Sequence, residues 1–455
     1  MTDLLLKLKT QFNGKKVLIV GLGLQGGGVG LAKFFVELGA KVKVTDKKTK
    51  EQLLQSIKRL NDFNIGYSLG EHKLQDFLEA DLIIKAPKMR WDDPFIVAAQ
   101  KKGAQIEMET SFFASLCPAP IVGITGTRGK STTTMMIYEL LKKHSGKTVH
   151  LAGNLPEKLA ISLLSKIQPE DLVVLELSSW QLSGFHRKKI SPHISVFTNF
   201  YPDHMDYYKT EEEYLFDKKA IYLYQNSQDF LIANKNLELV IEKDNPRSQI
   251  KYISSAGFSD DLLHLSGVHN LENAAAAFTV TKVLKLDRKK CIDTLAHFKR
   301  LPYRQEIVGE KDDIIFVNDT TSTTPTATIK ALETFSNYPI ILILGGNSKH
   351  LPFHNLVNYL TKSNKIVLLK GSFTDEILPV LKQQYADKIV GSYDNLEQAV
   401  DKAYAEAKHL TSNVKHLTSI ILFSPGATSF AMFNNEFHRG DEFNRVARKI
   451  MRINK

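Results

Sequence analysis

Cysteine is nearly missing from this 455-residue chain, with Cys117 and Cys291 its only two. That excludes a disulfide framework and a thiolate metal site built within one chain, and leaves the two thiols incidental to function. A long hydrophobic run is also lacking: the opening stretch MTDLLLKLKTQF is too short and too interrupted by charge for a signal segment or a membrane span. No fixed-period repeat and no low-complexity tract occurs, which excludes solenoids and mucin-like or prion-like segments. Concentrated charge of one sign is absent too. The formal charge is +11, but the lysines lie in scattered pairs such as Lys15-Lys16, Lys142-Lys143 and Lys289-Lys290. Scattered cations argue against a nucleic-acid footprint and for a surface biased towards anionic ligands. The expected setting is soluble and cytoplasmic, with no nucleic acid and no membrane as partner.

What is present is a globular composition, 43% hydrophobic and 24% charged. This length suggests about three domains. Short apolar runs alternate with helical stretches in each third: KKVLIVG, KVKVTD and ADLIIK; then PIVGIT, DLVVLEL, HISVFTN and DFLIAN; then DIIFVND, PIILILGG, KIVLLK and TSIILFSPG. That rhythm predicts open parallel sheets with helices on both faces. Seams fall at Leu116-Cys117-Pro118-Ala119-Pro120 and at Leu301-Pro302-Tyr303. The expected fold class is α/β with three domains over residues 1–117, 118–301 and 302–455. The first and last are Rossmann-like, and the central one is a parallel sheet of the P-loop ATPase type.

Two glycine turns carry chemistry. Gly21-Leu-Gly-Leu-Gln-Gly26 follows a strand and precedes a helix, and Asp46 ends the next strand. In the dinucleotide fingerprint such glycines admit a phosphate to backbone amides and the acid accepts from a ribose or base. On its own the turn also suits a nicotinamide dehydrogenase or a non-catalytic nucleotide-sugar binder. The second turn is Gly123-Ile-Thr-Gly-Thr-Arg-Gly-Lys-Ser-Thr-Thr-Thr134, again between a strand and a helix. Gly126 and Gly129 permit close backbone approach, Lys130 reaches towards β- and γ-phosphates, and the hydroxyl of Ser131 or Thr132 suits magnesium. The first glycine stands one place earlier than in a strict Walker A. Glu176 ends the strand in DLVVLEL, and Asn199-Phe-Tyr-Pro-Asp-His204-Met-Asp206 follows HISVFTN. Polar groups at successive strand ends gather at one edge of a parallel sheet, where hard oxygen ligands for magnesium are needed.

GTRGKSTTT, ELSSWQL, PDHMDYY, HNLENAAAA and SPGATSF, in this order, resemble the Mur ligase family over essentially the whole chain. The resemblance implies an ATP-dependent amide ligase of peptidoglycan precursor synthesis, monomeric, that joins D-glutamate to UDP-N-acetylmuramoyl-L-alanine through an acyl phosphate. It places Leu24, Gln25 and Asp46 on the uridine diphosphate, and Asn154 and His204 at the sugar-peptide end. Gly126, Thr127, Gly129, Lys130, Ser131 and Thr132 would hold the ATP phosphates. Ser131 and Glu176 would hold one Mg²⁺, and His204 a second together with a carbamylated lysine. The pattern Tyr-x-x-x-Lys-x-x-Ile falls on Tyr214 to Ile221 and makes Lys218 that lysine, with Lys219 in reserve. Asn270 and Asn273 correspond to adenine contacts, Arg304 and Asp319 to residues that bring the third domain onto the nucleotide, and Thr323, Lys349 and Ser429 to contacts of the amino-acid carboxylates.

The chain departs from the family pattern at several places. Arg128 stands for Asn, Ala86-Pro87-Lys88 for Ser-Pro-Gly, Thr321 for a lysine, and Glu436 for an aromatic residue. A lost cation and an added acid beside an acidic substrate imply an altered amino-acid pocket. The alternative is therefore the same reaction with L-glutamate or another amino acid.

Overall fold

Three separate sheets organise the chain in the computed structural model, which describes residues 3–24, 26–155, 158–205, 207–255, 258, 267–412, 417–429 and 432–452. The first sheet comprises β1 (Lys16–Val20), β2 (Lys41–Asp46), β3 (Ile65–Leu69), β4 (Leu82–Ile84) and β5 (Gln105–Glu107), in the order β3-β2-β1-β4-β5. All its pairings are parallel. The order reverses beside β1, so the Gly21 turn opens at a topological switch point, the usual place for a ligand crevice.

The second sheet is built from β6 (Ile121–Thr125), β7 (Val149–Gly153), β8 (Leu172–Glu176), β9 (Ile194–Phe197), β10 (Phe230–Asn234) and β11 (Gln249–Ile253), ordered β11-β10-β9-β6-β8-β7. It too is wholly parallel. In the third, β12 (Glu306–Lys311), β13 (Ile314–Asn318), β14 (Ile340–Gly345), β15 (Lys365–Leu369), β16 (Ile389–Tyr393) and β17 (Ser419–Phe423) run in the order β12-β13-β17-β14-β15-β16. Only β12 is antiparallel to its neighbour. The fold is thus α/β in three parts, Rossmann-like at both ends with a P-loop type sheet between.

Every strand expected from the sequence is a strand in the structure, and each is buried along most of its length, as β6, β8, β14 and β17 show most fully. Six strands were not anticipated: β3, β5, β7, β11, β12 and β16. All six lie at sheet edges. Their residues are half-buried and more polar, as in QIKYI and EIVGEK, so no apolar run announces them.

Two compact units make up the chain. One spans Met1–Phe200, Glu212–Ala256 and Glu272–Leu295 and holds the first two sheets; the other spans Tyr201–Glu211, Gly257–Leu271 and Ala296–Lys455 and holds the third. Among the described residues no helix is long and apolar enough to cross a membrane.

Candidate functional site

The central loop leaves β6 at Thr125 and enters the helix Lys130–His144. Its glycines are needed there. At Gly126, with φ 151°, a Cβ would fall 1.9 Å from Thr198 Oγ1, and at Gly129, with φ 79°, 2.3 Å from Asn273 Oδ1. The end of β9 pins the same loop. The amide of Thr127 donates to the Asn199 carbonyl at 3.0 Å and that of Arg128 to Asn199 Oδ1 at 2.8 Å, while Thr198 Oγ1 donates to the Arg128 carbonyl at 2.7 Å. A cradle made of backbone and held on two sides is pre-shaped for phosphate oxygens.

Two ammonium groups converge on that loop. Lys130 Nζ donates to the carbonyls of Gly126 at 2.8 Å and Thr127 at 3.1 Å. Lys218 Nζ, almost wholly buried, donates to the same Gly126 carbonyl at 2.9 Å and lies over the Tyr214 ring. Lys219 is separate: it pairs with Asp244 at 2.8 Å. Glu176 stands level with Ile124 in the β6–β8 register, one residue short of the loop strand's end. Its Oε1 accepts from Asn154 Nδ2 at 3.0 Å, whereas Oε2 is buried and has no hydrogen-bond partner.

An unpartnered buried carboxylate oxygen beside a phosphate loop fits a hard cation. Among the described residues no three His, Cys, Asp or Glu side chains cluster as a ready-made metal cage. Magnesium characteristically takes only one or two protein ligands and completes its shell with phosphate and water. Glu176 and the buried Ser131, in the first turn of the loop helix, are therefore a fitting pair.

Asn273 has a local task, since its Oδ1 accepts from Thr133 Oγ1 at 3.1 Å as it covers Gly129. Asn270 lies in the first turn of the same helix, Val268–Val283, with its amide donating to the Gly267 carbonyl at 2.8 Å. Thr132 follows Ser131 in the loop helix and is only half-buried.

At the N-terminal turn the structure departs from the simple fingerprint. Asp46 Oδ2 accepts from the amides of Leu22 at 2.9 Å and Gly23 at 3.1 Å, so a carboxylate of the chain engages two of the amides expected to face a phosphate. Leu24 is exposed, and Gln25 lies outside the described residues, as does Asp206. The substituted loop packs close by: a Cβ on Gly21 would sit 3.5 Å from that of Ala86. Buried Lys85 holds this loop by donating to the carbonyls of Met89 at 2.7 Å and Ala86 at 3.3 Å, and desolvation brings its pKa down to about 7.

In the unit of the third sheet, Arg304 is flanked by Tyr303 and Gln305, both with left-handed backbones at φ 65° and 50°. Asp319 secures this bend. Its carboxylate accepts from the Gln305 amide at 3.1 Å, Ser322 Oγ at 2.5 Å and Ser424 Oγ at 2.8 Å, and burial raises its pKa to about 6. Thr321 Oγ1 donates to the Tyr303 carbonyl at 2.9 Å, so it braces the same bend. Lys349 Nζ reaches Thr323 Oγ1 at 3.2 Å and Asp203 Oδ1 at 3.3 Å. Ser429 Oγ is buried without a hydrogen-bond partner.

Glu436 opens the helix Glu436–Arg452, where an acid complements the helix dipole, and Phe437 packs edge-on against Tyr303. Sequence reasoning missed Arg439. Its buried guanidinium donates to the Thr320 carbonyl at 2.8 Å, Thr320 Oγ1 at 3.0 Å and the Ala427 carbonyl at 3.1 Å, and so ties together two strand-end loops. Burial lowers its pKa to about 9. Its spacing in HRGDEF carries no signal, because its partners lie 119 and 12 residues away.

The chain is similar to known proteins over nearly its whole length. Residues 15–107 match the model of a Mur ligase MurD-like N-terminal domain, and residues 124–262 that of the Mur ligase middle domain. A UDP-N-acetylmuramoylalanine–D-glutamate ligase of Roseiflexus sp. (strain RS-1) is 34% identical, over 96% of this chain and 99% of that protein. One of the same name from Borreliella afzelii (strain PKo) is 33% identical, over 94% and 96%. Among solved structures, a UDP-N-acetylmuramate–alanine ligase of Thermotoga maritima superimposes with a TM-score of 0.62 at 18% identity, covering 96% of this chain and all of that one. A MurF ligase of the same organism, solved in complex with ADP, gives 0.56 at 18% identity, covering 99% and 100%. The chain belongs to the Mur ligase family, ATP-dependent ligases of peptidoglycan precursors.

Proposed function

We propose that this ligase joins D-glutamate to UDP-N-acetylmuramoyl-L-alanine, in the cytoplasm and as a monomer. The observation that carries the chemistry is the pairing of a braced glycine loop with the unpartnered Oε2 of Glu176 at the neighbouring strand end. The names borne by relatives aligned over nearly the full length support the substrates. Precursor, ATP and amino acid are assigned to residues 1–117, 118–301 and 302–455 respectively.

A carboxylate is a poor acylating agent, so the L-alanyl carboxylate first takes the γ-phosphoryl group of ATP. The amine of glutamate then attacks the acyl phosphate, inorganic phosphate leaves and an amide forms. The braced Gly126–Gly129 loop leaves room for the phosphates where no side chain fits, and Lys130 exchanges its loop carbonyls for phosphate oxygens and offsets charge that develops during transfer. Magnesium, on Glu176 and Ser131, would neutralise the β- and γ-phosphates. Lys218 as a free ammonium would repel a cation; carbamylated, it would supply an anionic oxygen ligand for a second ion, and His204 would supply a nitrogen ligand. Asn270 and Asn273 are assigned to the adenine, Leu24, Gln25 and Asp46 to the uridine diphosphate, and Asn154 and His204 to the sugar-peptide end, with Asn154 also supporting Glu176. Arg304 and Asp319 serve closure onto the nucleotide, and Lys349, Thr323 and Ser429 receive the amino-acid carboxylates.

Thr321 and Glu436 favour a second reading, the same reaction with L-glutamate or another amino acid. Phosphate release from Mg-ATP with the UDP precursor, compared across D-glutamate, L-glutamate and other amino acids with product masses read, decides between them. Release with D-glutamate alone supports the first reading. Release with none overturns both.

A further inference from the structure

We infer that Asp203 is a positioning residue for the incoming amino acid and acts through Lys349; this rests on the proposed role of Lys349 as a carboxylate contact. Asp203 is 2% exposed. Its Oδ1 accepts from the amide of His204 at 2.8 Å and from Lys349 Nζ at 3.3 Å, although Lys349 is 146 residues away. Its Oδ2 lies 3.7 Å from His204 Nε2. Thr323 Oγ1 meets the same Lys349 ammonium at 3.2 Å.

A carboxylate so deeply buried demands a cation, and Lys349 supplies it. The benefit is mutual. A lysine head is a point charge on a flexible four-carbon stem, and the fixed acceptors on Asp203 and Thr323 give it a direction. An ammonium already held meets a substrate carboxylate without losing that freedom on binding. The same oxygen also steadies His204, whose left-handed backbone, φ 59°, is sparsely populated for a residue with a side chain. One carboxylate oxygen therefore fixes both the turn that follows β9 and the lysine in the loop that follows β14.

The test is a double-mutant cycle of wild type, Asp203→Asn, Lys349→Gln and the double variant, with KM for D-glutamate measured by phosphate release at saturating Mg-ATP and precursor. Asparagine keeps an acceptor for the His204 amide while removing the charge that holds Lys349. We expect Asp203→Asn to raise the glutamate KM about tenfold with kcat within about threefold and the ATP KM unchanged, and to add less than about twofold in the Lys349→Gln background. Asp203→Ala, which also releases His204, should lower kcat in addition. Equal KM effects in both backgrounds, or a parallel rise in the ATP KM, would overturn the inference. A lower glutamate KM would overturn it as well, because Asp203 would then compete with the substrate. If Lys349→Gln turns over too slowly to fit, the melting shift that glutamate causes with precursor and ADP present closes the same cycle. Failure of wild type to turn over with any amino acid sinks the reaction itself, whereas turnover with an additive cycle sinks only this inference.

Discussion

Asn154 and Glu176 are joined twice: the Asn154 side chain donates to Glu176 Oε1 at 3.0 Å, and its backbone amide to the Glu176 carbonyl at 2.9 Å. The second bond depends on Gly153, where a Cβ would fall 2.1 Å from that carbonyl oxygen. Asn154 thus orients the carboxylate whose other oxygen points to no protein donor. Removing a group that orients a metal ligand characteristically costs about 10–100-fold in metal affinity or activity. Asn154→Ala should raise the magnesium concentration for half-maximal phosphate release by about that factor, and Glu176→Gln should lower kcat further. A magnesium dependence left unchanged by Asn154→Ala would refute the orienting role.

Gly126→Ala should damage the loop rather than tune it. The added methyl would meet Thr198 Oγ1, which braces the Arg128 carbonyl, and φ 151° is strained for any side chain. Overpacking of this kind costs about 1–3 kcal/mol. A lower urea midpoint together with loss of ATP protection against unfolding is the expected result. Gly146→Ala is a fair control for strain alone, since Gly146 has φ 69° and nothing within 4 Å of its Cβ position.

Asp319 gives a pH dependence of known sign. Its pKa rises from 3.8 to about 6 on folding because burial outweighs the donors around it. The folded state therefore binds the proton more tightly than the unfolded chain, and stability falls as pH rises between those two values. Below pH 3.8 the group contributes nothing, and above about 6 the full cost, roughly 3 kcal/mol, is present. Asp319→Asn should remove that slope, so its stability relative to wild type should improve from pH 4 to pH 7 in paired urea titrations. A difference that is flat with pH would count against the raised pKa.

Arg439→Met should destabilise the third sheet's unit. The thioether fills much of the space but leaves the Thr320 and Ala427 carbonyls without their buried donor. Each unsatisfied group costs about 1–3 kcal/mol, so a loss of about 3 kcal/mol is expected. Because those carbonyls belong to the loops carrying Thr323 and Ser429, the glutamate KM should rise while the ATP KM stays put. Calorimetry and steady-state kinetics on the same preparation check both.

The inner frame of the fold is legible in the chain's composition. KVLIV, IVGIT, LVVLE, IILIL and SIILF become central strands because they are covered on both faces, and full burial writes itself into composition as an unbroken apolar run. The glycine loop was equally legible as a glycine-rich turn, and the Thr198 and Asn273 side chains that close on Gly126 and Gly129 leave no room for a Cβ there. Tertiary structure decided the rest. The edge strands β3, β5, β7, β11, β12 and β16 take their conformation from the neighbour they pair with, and a half-exposed partner needs no apolar signature. The occupation of the Leu22 and Gly23 amides by Asp46, and the tie of Asp203 to Lys349, join residues 23 to 146 positions apart. No local spacing encodes such pairs, because a buried charge selects whichever counter-group the packed chain brings within reach.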